Sequence, residues 1–400
     1  MSTTSLAASR VGTERLRRHN TARVLRSLRE QGPASRSVLS GRTDLAKATV
    51  GAIVSDLADR DVAREGEPEG AARGRPSRPV SLVRGTLLGL GLEVNVDYVA
   101  VAVVDLAGGV VTSRTRPSDA PTALTAAQDL AREVLADLDG TVVGACLAVP
   151  GLVEVDDTVA WAPNLRWEDA TPGRQLADAL GLDVSVENDA NLAAVAEGVH
   201  GAAQGARHAL YLTGTVGIGA GILQDGRLVR GAGFAGEVGH MPLGIADARC
   251  GCGRLGCWEA TIGLRPMLAA VRDPETAPGH PAAGGHENTD PLDAARRVAR
   301  RADQDPRVRA ALTDLGGHLG HGIASLSSIL DPQTVVLGGY FAPLAPWLIP
   351  VARDVIDQRL PSADRHRPAL HPGALGIEAA AVGAGEQALL GILEGTVAVP

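Results

Sequence analysis

Aromatic side chains are scarce in this 400-residue chain: four Trp, three Tyr and two Phe make up 2% of it. Two tryptophans bracketing one short loop, Trp161 and Trp167, therefore draw notice as a platform for a ring-shaped ligand. Packing in a core is the equal alternative for either. Apolar runs of membrane-spanning length are missing, which argues against a transmembrane helix. The opening stretch MSTTSLAASRVGTERLRRHN is polar and basic and lacks the features of a signal peptide. Only four cysteines occur, too few in a chain of this length for a disulfide scaffold, and the expected compartment is a reducing cytoplasm. Lysine occurs once, at Lys47. What is plentiful is apolar side chain, 45% of the residues, ample for two or three domains with cores of their own.

Charge is unevenly spread. The chain carries a formal −8 overall, yet up to Arg84 there are 16 Arg/Lys against 9 Asp/Glu, a balance of +7, and the remainder holds 22 against 37, or −15. A small basic head on a large acidic body suggests a nucleic-acid-binding domain, residues 1–84, fused to something else, residues 85–400. Within the head, residues to Arg18 read as a flexible arm, and Asn20 as the N-cap of a first helix ended by Gly32-Pro33. Ser35 or Ser37 starts a second helix, and SGRTDL makes the turn. Val50, Ile53, Val54 and Leu57 then give a third helix one buried face. Its opposite face opens with Lys47, Ala48 and Thr49, small or hydrogen-bonding residues suited to base edges in a major groove. Two short strands, residues 62–64 and 80–83, flank a loop bearing Arg73, Arg75 and Arg78, which can enter a minor groove or meet phosphates. Helix, turn, helix and basic hairpin make a winged helix-turn-helix; a three-helix interaction domain is the competing reading.

From Leu87 the texture turns to Gly, Ala and Val. LLGLGLEVN, YVAVAVVDL and GGVVTSRTR read as a meander of three strands, followed by a helix over about 121–138 and the buried strand TVVGACLAVPG. LDVSVEND is a further strand with a helix springing from its end. A second run of strands, HALYLTGTVGIGAGIL then GRLVRG, repeats the theme. Helices follow at 261–272, about 291–302 and about 307–329, with a surface loop at 276–290 between the first two. TVVLGGYFAP is a strand and EAAAVGAGEQALLGIL a closing helix. The fold class expected is α/β, in two halves of similar strand and helix order.

Three of the four cysteines fall together at Cys250, Cys252 and Cys257, with His240 ten residues before the first. Thiolates and an imidazole are the ligand set of a tetrahedral structural Zn²⁺, and glycines fill the tight C-x-C-x₄-C turn. A disulfide with a spare thiol, or a chance cluster, are the alternatives, and the order E-V-G-H then C-x-C-G-x-x-G-C-x-E favours zinc over both. Glu237 and Glu259 stand beside these ligands, so a structural knot over residues 236–260 carries groups able to face a ligand. Cys146 lies alone in an apolar run and reads as a packing residue.

This segment resembles the signature of the ROK family, named for its repressors, open reading frames and sugar kinases, and the likeness extends over roughly residues 85–395. It implies a sugar kinase/actin-like body of two RNase H-like halves with a crevice between them. The winged head in front of it is the arrangement of the family's transcriptional repressors, of the xylose and N-acetylglucosamine types. The resemblance further implies sugar contacts by Gly151, Asn164, Asn188, Asp189, Glu237, His240 and Glu259, with His240 serving zinc and sugar alike. In the family's kinases the residue matching Asp189 is the general base, a sensible role for a carboxylate beside an attacking hydroxyl.

Phosphoryl transfer also needs a cradle for the phosphates of ATP. The family's kinases carry a D-x-G-G-T-like loop in the first hairpin; here the stretch is Gly91-Leu92-Glu93-Val94-Asn95-Val96-Asp97-Tyr98, without that glycine pair or the threonine. The second Gly-rich loop, Thr213 to Gly219, and the pair Gly338-Gly339 are intact. The expectation is a non-catalytic, sugar-responsive transcriptional regulator, a repressor of carbohydrate uptake or metabolism genes, that binds operator DNA and a sugar or sugar phosphate as a homodimer or homotetramer. An ATP-dependent sugar kinase with an N-terminal extension is the alternative.

Overall fold

The computed structural model describes residues 3–67, 77–215, 217–271, 290–360 and 367–400. The head comprises α1 (Thr3–Gln31), β1 (Ala34–Ser35), α2 (Arg36–Thr43), α3 (Lys47–Asp59), β2 (Ala63–Glu65) and β3 (Pro79–Leu82). Its strands form an antiparallel sheet in the order β1-β3-β2. This is a winged helix-turn-helix. Two expectations need correction. The stretch before Arg18 is helical from Thr3, and Asn20 is interior to α1 rather than its cap. Ala, Leu and Arg favour helix and no proline interrupts them, and Arg18 is tethered by a bond from Nη1 to the Thr396 carbonyl, 3.1 Å. The turn between α2 and α3 is also shorter than expected. SGRT stays helical, capped at its start by Ser35 Oγ accepting from the Val38 N–H, and the chain turns at left-handed Asp44.

The body begins with β4 (Leu87–Val94), β5 (Tyr98–Asp105), β6 (Val110–Pro117), α4 (Ala123–Ala136), β7 (Thr141–Val149), β8 (Leu152–Val153), β9 (Val159–Ala162), β10 (Trp167–Ala170), α5 (Pro172–Leu180), β11 (Val184–Asn188) and α6 (Asp189–His200). It continues with β12 (Ala209–Gly214), β13 (Ile218–Gln224), β14 (Arg227–Leu228), α7 (Glu259–Ile262), α8 (Leu264–Ala270), α9 (Pro291–Ala302) and α10 (Pro306–Leu330). β15 (Thr334–Gly339), α11 (Phe341–Arg359), β16 (Ala369–Pro372) and α12 (Ala379–Glu394) complete it. Two five-stranded sheets result, β6-β5-β4-β7-β11 and β14-β13-β12-β15-β16. In each, three antiparallel strands are followed by two parallel ones. The two halves thus share one topology, as expected of the sugar kinase/actin type.

Side-chain size explains how the layers meet. Along β4, Leu88, Leu90 and Leu92 point to one face, where they pack with Leu130 and Val134 of α4. The intervening Gly89 and Gly91 face α12, and a Cβ on Gly91 would lie 1.9 Å from the Ala381 carbonyl oxygen. Successive strand residues alternate faces, so the Leu-Gly alternation lets the α12 backbone lie directly on the sheet. α12 in turn crosses α6 closely, since a Cβ on Gly383 would meet the Leu192 oxygen at 1.8 Å. These two helices stand between the sheets. The head joins the same core: Val24, Leu25 and Leu28 of α1 and Val54 and Leu57 of α3 cluster with Leu87, Val104, Leu389 and Ile392.

Several elements were not anticipated. α11 contains Pro346 and Pro350, residues that normally end helices, yet its buried stripe of Phe341, Leu344, Leu348, Ala352 and Ile356 holds it in place. The small sheet β10-β9-β8, α5 and β16 likewise escaped notice. The helix expected at 261–272 is two, α7 and α8, broken at Gly263. Residues 276–289 of the expected surface loop lie outside the described residues. Among the described residues, no helix is long and apolar enough to cross a membrane.

Candidate functional site

His240, Cys250, Cys252 and Cys257 converge, each offering one ligand atom, and those atoms lie within 4.8 Å of one another. The Cys252 and Cys257 sulfurs are 3.7 Å apart, and Cys250 Sγ is 3.8 Å from His240 Nδ1. Two thiolates at ~2.3 Å from a tetrahedral Zn²⁺ would be separated by about 3.8 Å. Donor set and spacing therefore fit the ion that the sequence implies. His240 ends a single 3₁₀ turn, Val238–His240, and the Cys loop closes by Cys250 N–H donating to the Arg254 carbonyl, 2.9 Å. The Arg254 backbone and guanidinium pull the Cys252 thiol down to about 6, which favours the thiolate a metal needs. Trp258 anchors the segment from within: it is fully buried, donates its indole N–H to the His318 carbonyl at 3.1 Å, and nests against Gly322 of α10.

Beside the cluster lies a chain of carboxylates. Glu259 accepts from the Ile218 N–H through Oε2, 2.9 Å, and sets Oε1 3.6 Å from Cys250 Sγ. Glu237 is held above its ordinary range by burial and by Glu259, with His240 opposing. Asp189 is half-buried at the start of α6; loss of solvation and repulsion from Glu237 push it up to about 7, against a bond from the Ala190 N–H. Asn188 caps α6, accepting from the Ala190 and Asn191 N–H groups, and donates Nδ2 to the Gly151 carbonyl at 3.1 Å. Asp189, Glu237, His240 and Glu259 are thus electrostatic neighbours, with Asn188 and Gly151 joined to them at the head of α6. Asn164 is different. It lies exposed in the β9–β10 turn, and among the described residues no hydrogen bond ties its side chain to the rest. Trp167 packs into the core of the first half, while Trp161 is 46% exposed.

Sequence reasoning missed Glu93, Tyr98 and Arg230. Glu93 is buried at the end of β4; burial pushes it up to about 8, and Asp189 adds repulsion. The Tyr98 hydroxyl donates to Glu93 Oε1 at 2.5 Å, while Oε2 has no hydrogen-bond partner among the described residues. The signal was a carboxylate inside an otherwise apolar strand. Arg230, after β14, pairs with Glu187, whose other oxygen accepts from Asn188 N–H and Asn191 Nδ2, each at 2.9 Å. Cys146 is fully buried and pushed up to about 12 by burial, in keeping with packing.

In the head, Lys47 and Ala48 are exposed and Thr49 is half-buried at the N-terminus of α3. Arg36 braces that helix, reaching the Gly51 carbonyl, Ser55 Oγ and Glu65. Arg78 is exposed beside β3. Arg73 and Arg75 lie outside the described residues.

The ROK family model matches residues 89–389, and the chain belongs to the ROK family. The xylose repressor of Bacillus subtilis (strain 168) is 28% identical over 380 residues, covering 91% of this chain and 93% of that protein. The crystal structure of a ROK family transcriptional regulator, a homologue of the E. coli MLC protein, superposes with a TM-score of 0.78 at 25% identity, covering 95% of this chain and 98% of the other. A ROK family glucokinase from Streptomyces griseus, solved with glucose and AMPPNP, gives a TM-score of 0.62 at 28% identity over 76% of this chain and 100% of its own. The match to the regulators takes in the winged head.

Proposed function

We propose that the protein is a sugar-responsive DNA-binding transcriptional regulator, a repressor of carbohydrate genes, with residues 1–84 binding an operator and residues 85–400 binding the sugar. One observation carries this reading: a winged head sharing a core with a sugar kinase-like body, in a chain alike to a xylose repressor over 91% of its length. Lys47 and Thr49 at the start of α3 meet base edges, and Arg73, Arg75 and Arg78 meet phosphates or the minor groove. A sugar lies among Gly151, Asn164, Asn188, Asp189, Glu237, His240 and Glu259. Zn²⁺ held by His240, Cys250, Cys252 and Cys257 fixes one wall of that site rather than activating a water. The protein acts in the cytoplasm as a homodimer or homotetramer, whose paired heads match the half-sites of a palindromic operator.

The same reading makes the chain non-catalytic. Glu93, Asn95 and Tyr98 fill the first hairpin with their mutual hydrogen bonds, where a phosphate cradle needs small residues and free backbone N–H groups. One observation favours a kinase instead: Asp189, half-buried at the head of α6, is raised to about 7, the range of a general base at neutral pH. Operator binding to the DNA upstream of the protein's own gene, followed with and without xylose, glucose and N-acetylglucosamine, tests the proposal. Salt-sensitive binding that one sugar alters supports it. Absence of specific binding, together with ATP-dependent sugar turnover abolished by Asp189→Asn, would establish the kinase.

A further inference from the structure

The proposed sugar site and the head are joined by one helix, α6, and a buried polar bridge at its far end. α6 starts at Asn188 and Asp189 and ends at His200. There the His200 Nε2 lies 2.7 Å from Glu386 Oε1 of α12. Glu386 in turn takes both oxygens to Arg29 Nη2 of α1, at 2.5 and 2.7 Å. The Arg29 Nη1 donates to the Asp105 and Leu106 carbonyls at the end of β5, 3.4 and 3.2 Å. Both side chains of the ion pair are buried, 8% and 5% exposed.

A buried ion pair is a poor way to gain stability, because desolvation cancels most of the attraction and apolar replacements of similar volume are often neutral or better. What it does provide is registry. A guanidinium bonded on two sides and a carboxylate bonded to two elements have few alternative arrangements, whereas the aliphatic contacts around them tolerate sliding. α6 is one unbroken helix of 12 residues, and near its far end Glu197 accepts from the Ala374 and Leu375 N–H groups at 2.8 and 3.0 Å and from Ala202 N–H at 2.7 Å. A shift of its sugar-proximal end therefore reaches its far end as a rigid movement.

We propose that Glu386, bridging His200 of α6 to Arg29 of α1, is the joint through which occupancy of the sugar site repositions the DNA-binding head. This rests on the function proposed above and names its transmission. These three are positioning residues; none contacts sugar or DNA in that reading.

The test measures two affinities in the full chain: for a sugar among xylose, glucose and N-acetylglucosamine by calorimetry, and for operator DNA with and without it. Glu386→Gln keeps the shape and the hydrogen-bonding reach but removes the charge, and the pair Arg29→Met with Glu386→Leu removes the joint outright. In both, sugar affinity is expected within about threefold of wild type, while the effect of sugar on operator affinity shrinks about tenfold. His200→Gln, which retains a donor, is expected to keep more of that effect than His200→Leu. Should the double variant not fold, Glu386→Gln decides alone. A sugar effect within about twofold of wild type in Glu386→Gln would overturn the joint. Wild-type protein whose operator affinity no sugar changes would overturn the joint together with the regulator reading, a failure seen before any variant is made.

Discussion

The β4–β5 and β12–β13 hairpins occupy the same place in two sheets of identical order, yet they are built in opposite ways. The first turn is filled with polar side chains that bond to one another. Tyr98 and Asn95 donate to Glu93, and Asn95 Oδ1 accepts from the Val96 N–H. The second is built from glycine, and its glycines are taken up by neighbours. A Cβ on Gly214 would enter the Tyr340 ring at 2.2 Å, and one on Gly217 would meet Glu259 Oε2 at 2.6 Å. A glycine-rich turn is a sign of phosphate binding only where a ligand, and not the protein itself, needs the space. Here the segment of the His/Cys cluster claims it, since Glu259 also holds the Ile218 N–H. One topology has thus been specialised twice, the first half toward the head and the second toward the His/Cys cluster.

The largest effect in this contrast is expected from removing the metal, which touches the second half alone. Apparent zinc affinities in small structural sites run to about 10–16 kcal/mol. Chelation or Cys257→Ser is therefore expected to release the wall of the crevice and weaken sugar binding by about a hundredfold, while operator binding by the head survives. Metal content and calorimetry on the same sample check this; full sugar affinity in metal-free protein would separate the knot from the site.

Next in size is a matched pair of glycine substitutions. Gly91→Ala drives a methyl against the α12 backbone and should cost about 3 kcal/mol. Gly217→Ala meets only the movable end of Glu259 and should cost about 1 kcal/mol. Thermal unfolding of both variants would show whether the two halves differ as described; equal losses would erase the distinction.

A pH-dependent contrast follows from Glu93. Its carboxyl is raised from 4.5 to about 8 in the folded chain, so the native state retains a proton that the unfolded chain has released. That contribution to stability is fully present below about pH 4.5 and is lost as pH climbs toward 8. Glu93→Gln, neutral throughout, should therefore gain on wild type progressively across this window when melting temperature is followed against pH. A constant offset would mean that Glu93 is ionised in the fold.

The smallest effect concerns the head. Lys47→Ala should lower operator affinity about tenfold, and if the ammonium meets a phosphate, the salt dependence should become shallower by about 0.9 in slope. Titrations at several salt concentrations measure both.

Much of this was legible in the residues. The Cys/His spacing pointed to the ligand cluster because a tetrahedral site needs few residues close in sequence. The stripe Val50, Ile53, Val54, Leu57 marked a buried face through its period, and LLGLGLEVN read as a strand. What stayed hidden depended on partners distant in the chain. α11 is helical despite Pro346 and Pro350 because its apolar stripe has a core to enter. Trp258 gains its anchoring role from His318 and Gly322, sixty residues and more away. Arg29, His200 and Glu386 look like ordinary helix-surface charges until three helices meet. Asn164 carried a sugar role by resemblance alone, and its exposed turn lends that role no hydrogen bond.

Linkage offers the most direct test of the central claim, that sugar and operator act on one another through the shared core. If sugar changes operator affinity by some factor, operator must change sugar affinity by the same factor. Sugar binding to the wild-type chain should be measured by calorimetry with and without saturating operator DNA. The account predicts two different sugar affinities, in a ratio equal to the sugar-induced change in operator affinity. Identical sugar affinities in the two titrations would contradict it.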